Sequence, residues 1–139
     1  MNIKRIHDLY NLIKDRLPST YPKARLAFFE NEEHMLEREN MKVGADESVY
    51  AIVDPDTSTI SLPLKMTFEY TAKDGQIYNK VVSIDKISDE EICHTLLHES
   101  FHLLMGERYG YSSKQYSDEK GCDKFGERWV KKMKKEKLI

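Results

Sequence analysis

The sequence predicts an α+β fold, and three observations carry that prediction. Residues 3–17 repeat apolar side chains at helical spacing, the middle of the chain reads as two hairpins, and a capped helix followed by a long amphipathic one fills the last third. With 139 residues, 40% hydrophobic and 33% charged, the chain can bury one core of ordinary size and hardly two. Residues 1–139 are therefore expected to form a single domain.

In the first element Ile3, Ile6, Leu9, Tyr10, Ile13 and Leu17 share one face, and Pro18, which cannot continue the backbone ladder, ends the helix. Ala24 to Glu30, around Leu26, Phe28 and Phe29, reads as a short strand, and the acid-rich stretch from Asn31 to Asn40 has no period that assigns it. Val49 to Val53, the turn Asp54-Pro55-Asp56-Thr57 and the alternating Ile60, Leu62 and Leu64 predict one hairpin. Met66 to Thr71 and Ile77 to Ile84 predict another around Asp74-Gly75, a pair that tolerates the positive φ of a tight turn. The strands should make a small twisted sheet, antiparallel or mixed.

The period then changes. Ser88-Asp89-Glu90-Glu91 is a capping box with acids at the positive end of a helix, which should start near Asp89 and run to about Met105, where Gly106 and Gly110 break it. Ser112 or Ser117 can cap the last helix, whose apolar stripe is Cys122, Phe125, Trp129, Val130 and Met133.

Charge bounds the partners. Lysine plus arginine number 22 against 24 acids, net −2 with pI near 6.2, which argues against a general nucleic-acid or anionic-membrane binder. Six bases and one acid from Arg128 to Ile139 make a basic helical tail of net +5, leaving −7 for the rest. Nucleic-acid contact is therefore a minor expectation confined to that tail. No stretch approaches the roughly 18 apolar residues of a membrane helix, and early charges interrupt any signal core, so a cytoplasmic protein without membrane partners is expected. Cys93 and Cys122 are too few for a disulfide scaffold or a cysteine zinc finger.

The chemistry lies in His98-Glu99-Ser100-Phe101-His102. This HExxH spacing puts two imidazoles one turn apart on one helix face with a glutamate beside them, the arrangement that holds zinc and supplies a base. The neighbours Thr95, Leu96, Leu97, Leu103 and Leu104 are uncharged, and a His-Glu-His cluster buried among them without a metal would be costly. His94 cannot join both histidines on one ion, since it stands eight residues, about 12 Å, from His102 along the axis. It is read as a residue that supports a ligand from behind, lines the cleft or makes a structural hydrogen bond. On the final helix, Glu119 and Asp123 share a face one turn apart. A carboxylate at the first position can complete a zinc shell while one at the second takes the outer N–H of a bound imidazole. Glu107 and Asp118 remain alternative third ligands.

His98-Glu99-x-x-His102 with a downstream Glu119-x-x-x-Asp123 resembles the gluzincin metallopeptidases, the thermolysin-like clan, over about residues 88–130. The short chain is most similar to the minigluzincins and to the short peptidases of the ImmA/IrrE type, whose Glu-x-x-Ala-Asp/Asn-x-Phe run is close to Glu119-Lys-Gly-Cys122-Asp123-Lys-Phe125 here. Cys122 stands where a small Ala or Ser is usual, and Asp118 where thermolysin-like relatives have Asn. The metzincin pattern fails, with glycine at 106 rather than 105 and Arg108 at the third-histidine position. The resemblance implies a zincin-like fold, one Zn2+ per chain on His98, His102 and Glu119, and Asp123 holding His98.

The expected activity is zinc-dependent hydrolysis of a protein or peptide substrate. Glu99 acts as base and then acid, and Tyr109, Tyr111 or Tyr116 donates to the oxyanion. A strand between Val49 and Ile84 would offer its edge to the peptide. The alternatives are a catalytically silent, zinc-stabilised peptide-binding or regulatory module, and a DNA-associated protease of the SprT-like type suggested by the motif and the basic tail.

Overall fold

The computed structural model describes residues 3–31, 35 and 51–139, the side chains of 67–70 excepted. Among these residues the chain is α+β, with three α-helices and small sheets in the order helix, strands, helices. Helix α1 (Ile3–Arg16) buries Ile6, Leu9, Tyr10 and Ile13, the face its spacing predicts, and stops two residues before Pro18. Strand β1 (Arg25–Phe29) is followed by β2 (Ile52–Asp54), β3 (Thr59–Pro63), β4 (Lys65–Thr71) and β5 (Ile77–Ser83), then a 3-10 turn, Ile84–Lys86. Most of the stretch 31–40, and Val49 and Tyr50 of the first expected hairpin, lie outside the described residues.

The strands form two separate ladders. One is a mixed sheet of order β1-β3-β2, with β1 parallel to β3 (Arg25↔Thr59 to Phe29↔Pro63) and β2 antiparallel to it. The other is the β4-β5 hairpin, in register from Lys65↔Ser83 to Thr71↔Ile77. Its turn needs one positive φ rather than two. Gly75 alone takes it, at +81°, while Asp74 accepts from the Gln76 N–H and the Tyr78 hydroxyl. The hairpin joins the sheet through Leu64, whose N–H donates to the Phe29 carbonyl and whose own carbonyl accepts from Ile84 N–H.

Helix α2 (Asp89–Tyr109) runs between α1 and α3 (Glu119–Lys135). Ser88 caps it as expected, its hydroxyl accepting from Glu91 N–H. Ile92, Cys93, Leu96, Leu97 and Leu103 bury against Ile6, Leu9 and Ile13 of α1 and Ile60 and Leu62 of β3. Apolar area removed from water on this side is the main stabilising term. Tyr10 spans the layers, its hydroxyl accepting from Ala24 N–H, and burial pushes its pKa up. Arg5 clamps the α2 start by pairing with Asp89 and donating to the carbonyls of Ile84 and Ile87. On the α3 side, Phe125 stacks on Phe101 with ring centroids 4.4 Å apart.

Two boundaries differ from the sequence reading. Gly106 does not break α2; the helix continues to Tyr109 and ends at Gly110, whose φ is +93°. A Cβ on Gly106 would lie 2.3 Å from the Tyr111 ring, so this glycine serves close packing rather than termination. Neither Ser112 nor Ser117 caps α3. Asp118 does, its carboxylate accepting from Gly121 N–H at 3.1 Å. Gly121 is what lets it fold back, since a Cβ there would meet Asp118 Oδ2 at 2.4 Å.

Candidate metal centre

The helical period places His94, His98 and His102 on successive turns of the α2 face that meets α3. Two of the three converge. His98 Nε2 and His102 Nε2 lie 3.1 Å apart, and the Glu119 carboxylate spans them, Oε2 at 2.9 Å from the first and Oε1 at 3.0 Å from the second. Glu119 is the first residue of α3 after the Asp118 cap, where its negative charge suits the positive helix end. The cap that fixes the helix start thus aims this carboxylate.

The other ring nitrogens identify the tautomers. His98 Nδ1 is 2.8 Å from Asp123 Oδ1, and His102 Nδ1 contacts the Tyr116 carbonyl. A carboxylate and a carbonyl only accept, so each Nδ1 carries a hydrogen, and in the neutral ring, the form that ligates a metal, each Nε2 presents a lone pair inward. Three acceptors therefore face one another within 3.1 Å. A shared proton joins only one pair of them at a time, whereas a cation satisfies all three. Ligands about 2.0–2.2 Å from a tetrahedral zinc are about 3.3–3.6 Å apart, so the donors need to spread by only a few tenths of an ångström. The donor set fits a divalent metal.

Cys122 offers a further donor. His98, His102 and Cys122 present ligand atoms all within 4.8 Å of one another and could hold a metal ion. Without a metal this thiol keeps its proton. Burial first, then the carboxylates of Glu119, Glu99, Asp118 and Asp123, push its thiol up to about 12, and a thiol ligates only after losing its proton. The Glu119 oxygens lie 2.9 and 3.0 Å from the two imidazoles. Asp118 is committed to the helix cap, while Glu107 is exposed.

Glu99 lines the same cleft, its Oε1 4.0 Å from His98 Nε2. Burial, and secondarily the Glu119 charge, push its carboxyl up to about 8. The cleft, about 1580 Å³, is also walled by Ala51, Ile52 and Val53 at β2 and by Tyr116. Of the three tyrosines, only Tyr116 lines it; Tyr109 and Tyr111 are exposed. Burial, then Glu99 and further neighbouring charges, raise the Tyr116 pKa.

Several contributors went unread in the sequence. Gly106 seats the Tyr111 and Tyr116 rings, which brings the Tyr116 carbonyl to His102, and nothing in the local pattern signals a carbonyl as partner. Cys93, five residues and so about 140° around the helix from His98, is wholly buried on the core side of α2. Among the described residues no helix is long and apolar enough to cross a membrane. No protein-family model, curated protein or solved structure matches the chain.

Proposed function

We propose that the chain is a small zinc-dependent peptidase with a zincin-like, gluzincin-type site. The observation that supports it most is the convergence of His98 Nε2, His102 Nε2 and the Glu119 carboxylate within 3.1 Å, with the outer nitrogen of His98 held by Asp123. Zinc bound there would supply a Lewis acid and lower the pKa of water to about 7. His98 and His102 are locked as Nδ1–H tautomers and keep their lone pairs available. Glu99, partly desolvated beside them, takes the proton of the attacking water and returns it to the leaving amine. Tyr116, at the cleft wall, is placed to donate to the developing oxyanion. Among the described residues no strand pairs with the outer edge of β2, so an extended peptide can add there and lie across the cleft.

The test is Glu99→Gln. It should keep one zinc per chain and lose cleavage of an unfolded casein by about 10²–10⁴-fold. A wild-type protein that binds zinc and cleaves no peptide would refute the peptidase reading. One observation favours a second reading: with Cys122 added to His98, His102 and Glu119, four protein ligands would close the shell, as in a zinc-stabilised binding module. A thiolate-to-cobalt charge-transfer band that disappears in Cys122→Ser would support that module.

A further inference from the structure

His94 is the third rung of the histidine face, and the metal chemistry does not use it. Its Nε2 lies 3.3 Å from the backbone carbonyl of Asp123, which can only accept, so the imidazole donates there. Its ring also lies directly against α3 at Gly126. A Cβ built on Gly126 would come within 2.7 Å of His94 Cδ2, 3.0 Å of Nε2 and 3.2 Å of the His94 carbonyl oxygen. The last of these atoms is backbone and cannot rotate away, so the helices approach this closely only because residue 126 has no side chain.

Three consecutive turns of α2 thus grip one segment of chain. His94 donates to the Asp123 backbone, His98 donates to the Asp123 carboxylate and faces Glu119, and His102 donates to the Tyr116 carbonyl and faces Glu119. The first grip differs from the others in kind. It fixes the main chain of the residue whose side chain orients His98, and so sets how far α3 can slide along α2. Metal donors tolerate displacements of only about half an ångström before affinity falls.

We propose that His94, seated on Gly126, is a positioning residue for the metal centre: it sets the register of α3 so that Asp123 and Glu119 reach the two ligand imidazoles. The inference rests on the zinc reading above. It assigns no ligand role to His94.

Zinc affinity measured by competition with a chromophoric chelator tests it, alongside thermal unfolding of the metal-free proteins. His94→Leu should weaken zinc by about 10-fold, at the lower end of the 10–100-fold range for residues that support ligands. His94→Gln should retain most of the affinity, since an amide N–H can donate to the same carbonyl. Gly126→Ala should weaken zinc as His94→Leu does, because it forces the helices apart. A purely structural role would instead lower the metal-free unfolding temperature and leave the zinc affinity of the folded protein unchanged. Wild-type zinc binding with an unaltered His94→Leu affinity overturns the inference alone, as does a His94→Gln protein no better than His94→Leu. Absence of zinc binding by the unaltered protein overturns the zinc reading and this inference with it.

Discussion

The two sides of α2 pack by opposite means. Toward α1 and β3 it presents Ile92, Leu96, Leu97 and Leu103, all at most 3% exposed, and adhesion there is non-directional burial of apolar surface. Toward α3, beside the apolar packing of Phe101 on Phe125, it presents His94, His98 and His102, whose polar contacts are directional and, in the neutral rings, place acceptors face to face. One side stabilises the fold whatever is bound. The other brings together donors that a cation could satisfy, so on the proposed zinc reading ligand changes on the histidine side and volume changes on the apolar side should separate cleanly.

The largest effect expected is on metal content. His98→Ala or His102→Ala should abolish stoichiometric zinc, while the metal-free variants should be no less stable than the metal-free parent, since each removes one of the facing acceptors. Metal analysis and urea unfolding check both halves. Full zinc retention by either variant would refute the assignment. On the apolar side, Leu96→Ala, at a fully buried position, should cost about 2–5 kcal/mol of unfolding free energy and leave zinc stoichiometry of the folded protein at one. Zinc loss without loss of stability in that variant would show that the sides are not separable.

How legible each side was follows from the same contrast. The α1 stripe, the β hairpins and the pairs His98/His102 and Glu119/Asp123 are local periodicities, and a single chain shows them. Distances between elements are not local. Gly106 reads as a helix breaker because propensity cannot see the Tyr111 ring over it, and Gly126 reads as nothing because its reason is His94 on another helix. Asp118 reads as a possible ligand, since a carboxylate next to Glu119 has that chemistry; its use as a cap appears only with the backbone of Gly121. The parallel pairing of β1 with β3 spans more than thirty residues of chain, beyond any short pattern.

Within the histidine side, Asp123 and Asp118 separate support for the metal from support for the helix. Asp123→Asn removes the charge facing His98 Nδ1 and should weaken zinc by about 10- to 100-fold without unfolding the protein. Asp118→Asn should do little to either, because asparagine caps helices as well as aspartate does. Release of zinc by Asp118→Asn with Asp123→Asn unchanged would mean the third ligand is misassigned.

The smallest effect is a pH slope in the metal-free protein, and its sign is specific to Glu99. Its carboxyl is held at about 8 against an ordinary 4.5, so between those values the folded state keeps a proton that the unfolded state has lost. The contribution is fully present below 4.5 and disappears as pH rises through about 8. Stability should therefore fall with pH by at most about 1.4 kcal/mol per unit in that window. The quantity to measure is the difference between the wild type and Glu99→Gln in urea unfolding at pH 6 and pH 7, which cancels what the two proteins share. The variant should lose this part of the slope. Zinc should suppress it in the wild type as well, since a cation beside Glu99 favours its ionised form. A Glu99→Gln protein whose metal-free stability follows the wild type across that interval would show that Glu99 is ionised in the folded state without the metal, and that its desolvation is too weak to hold the proton.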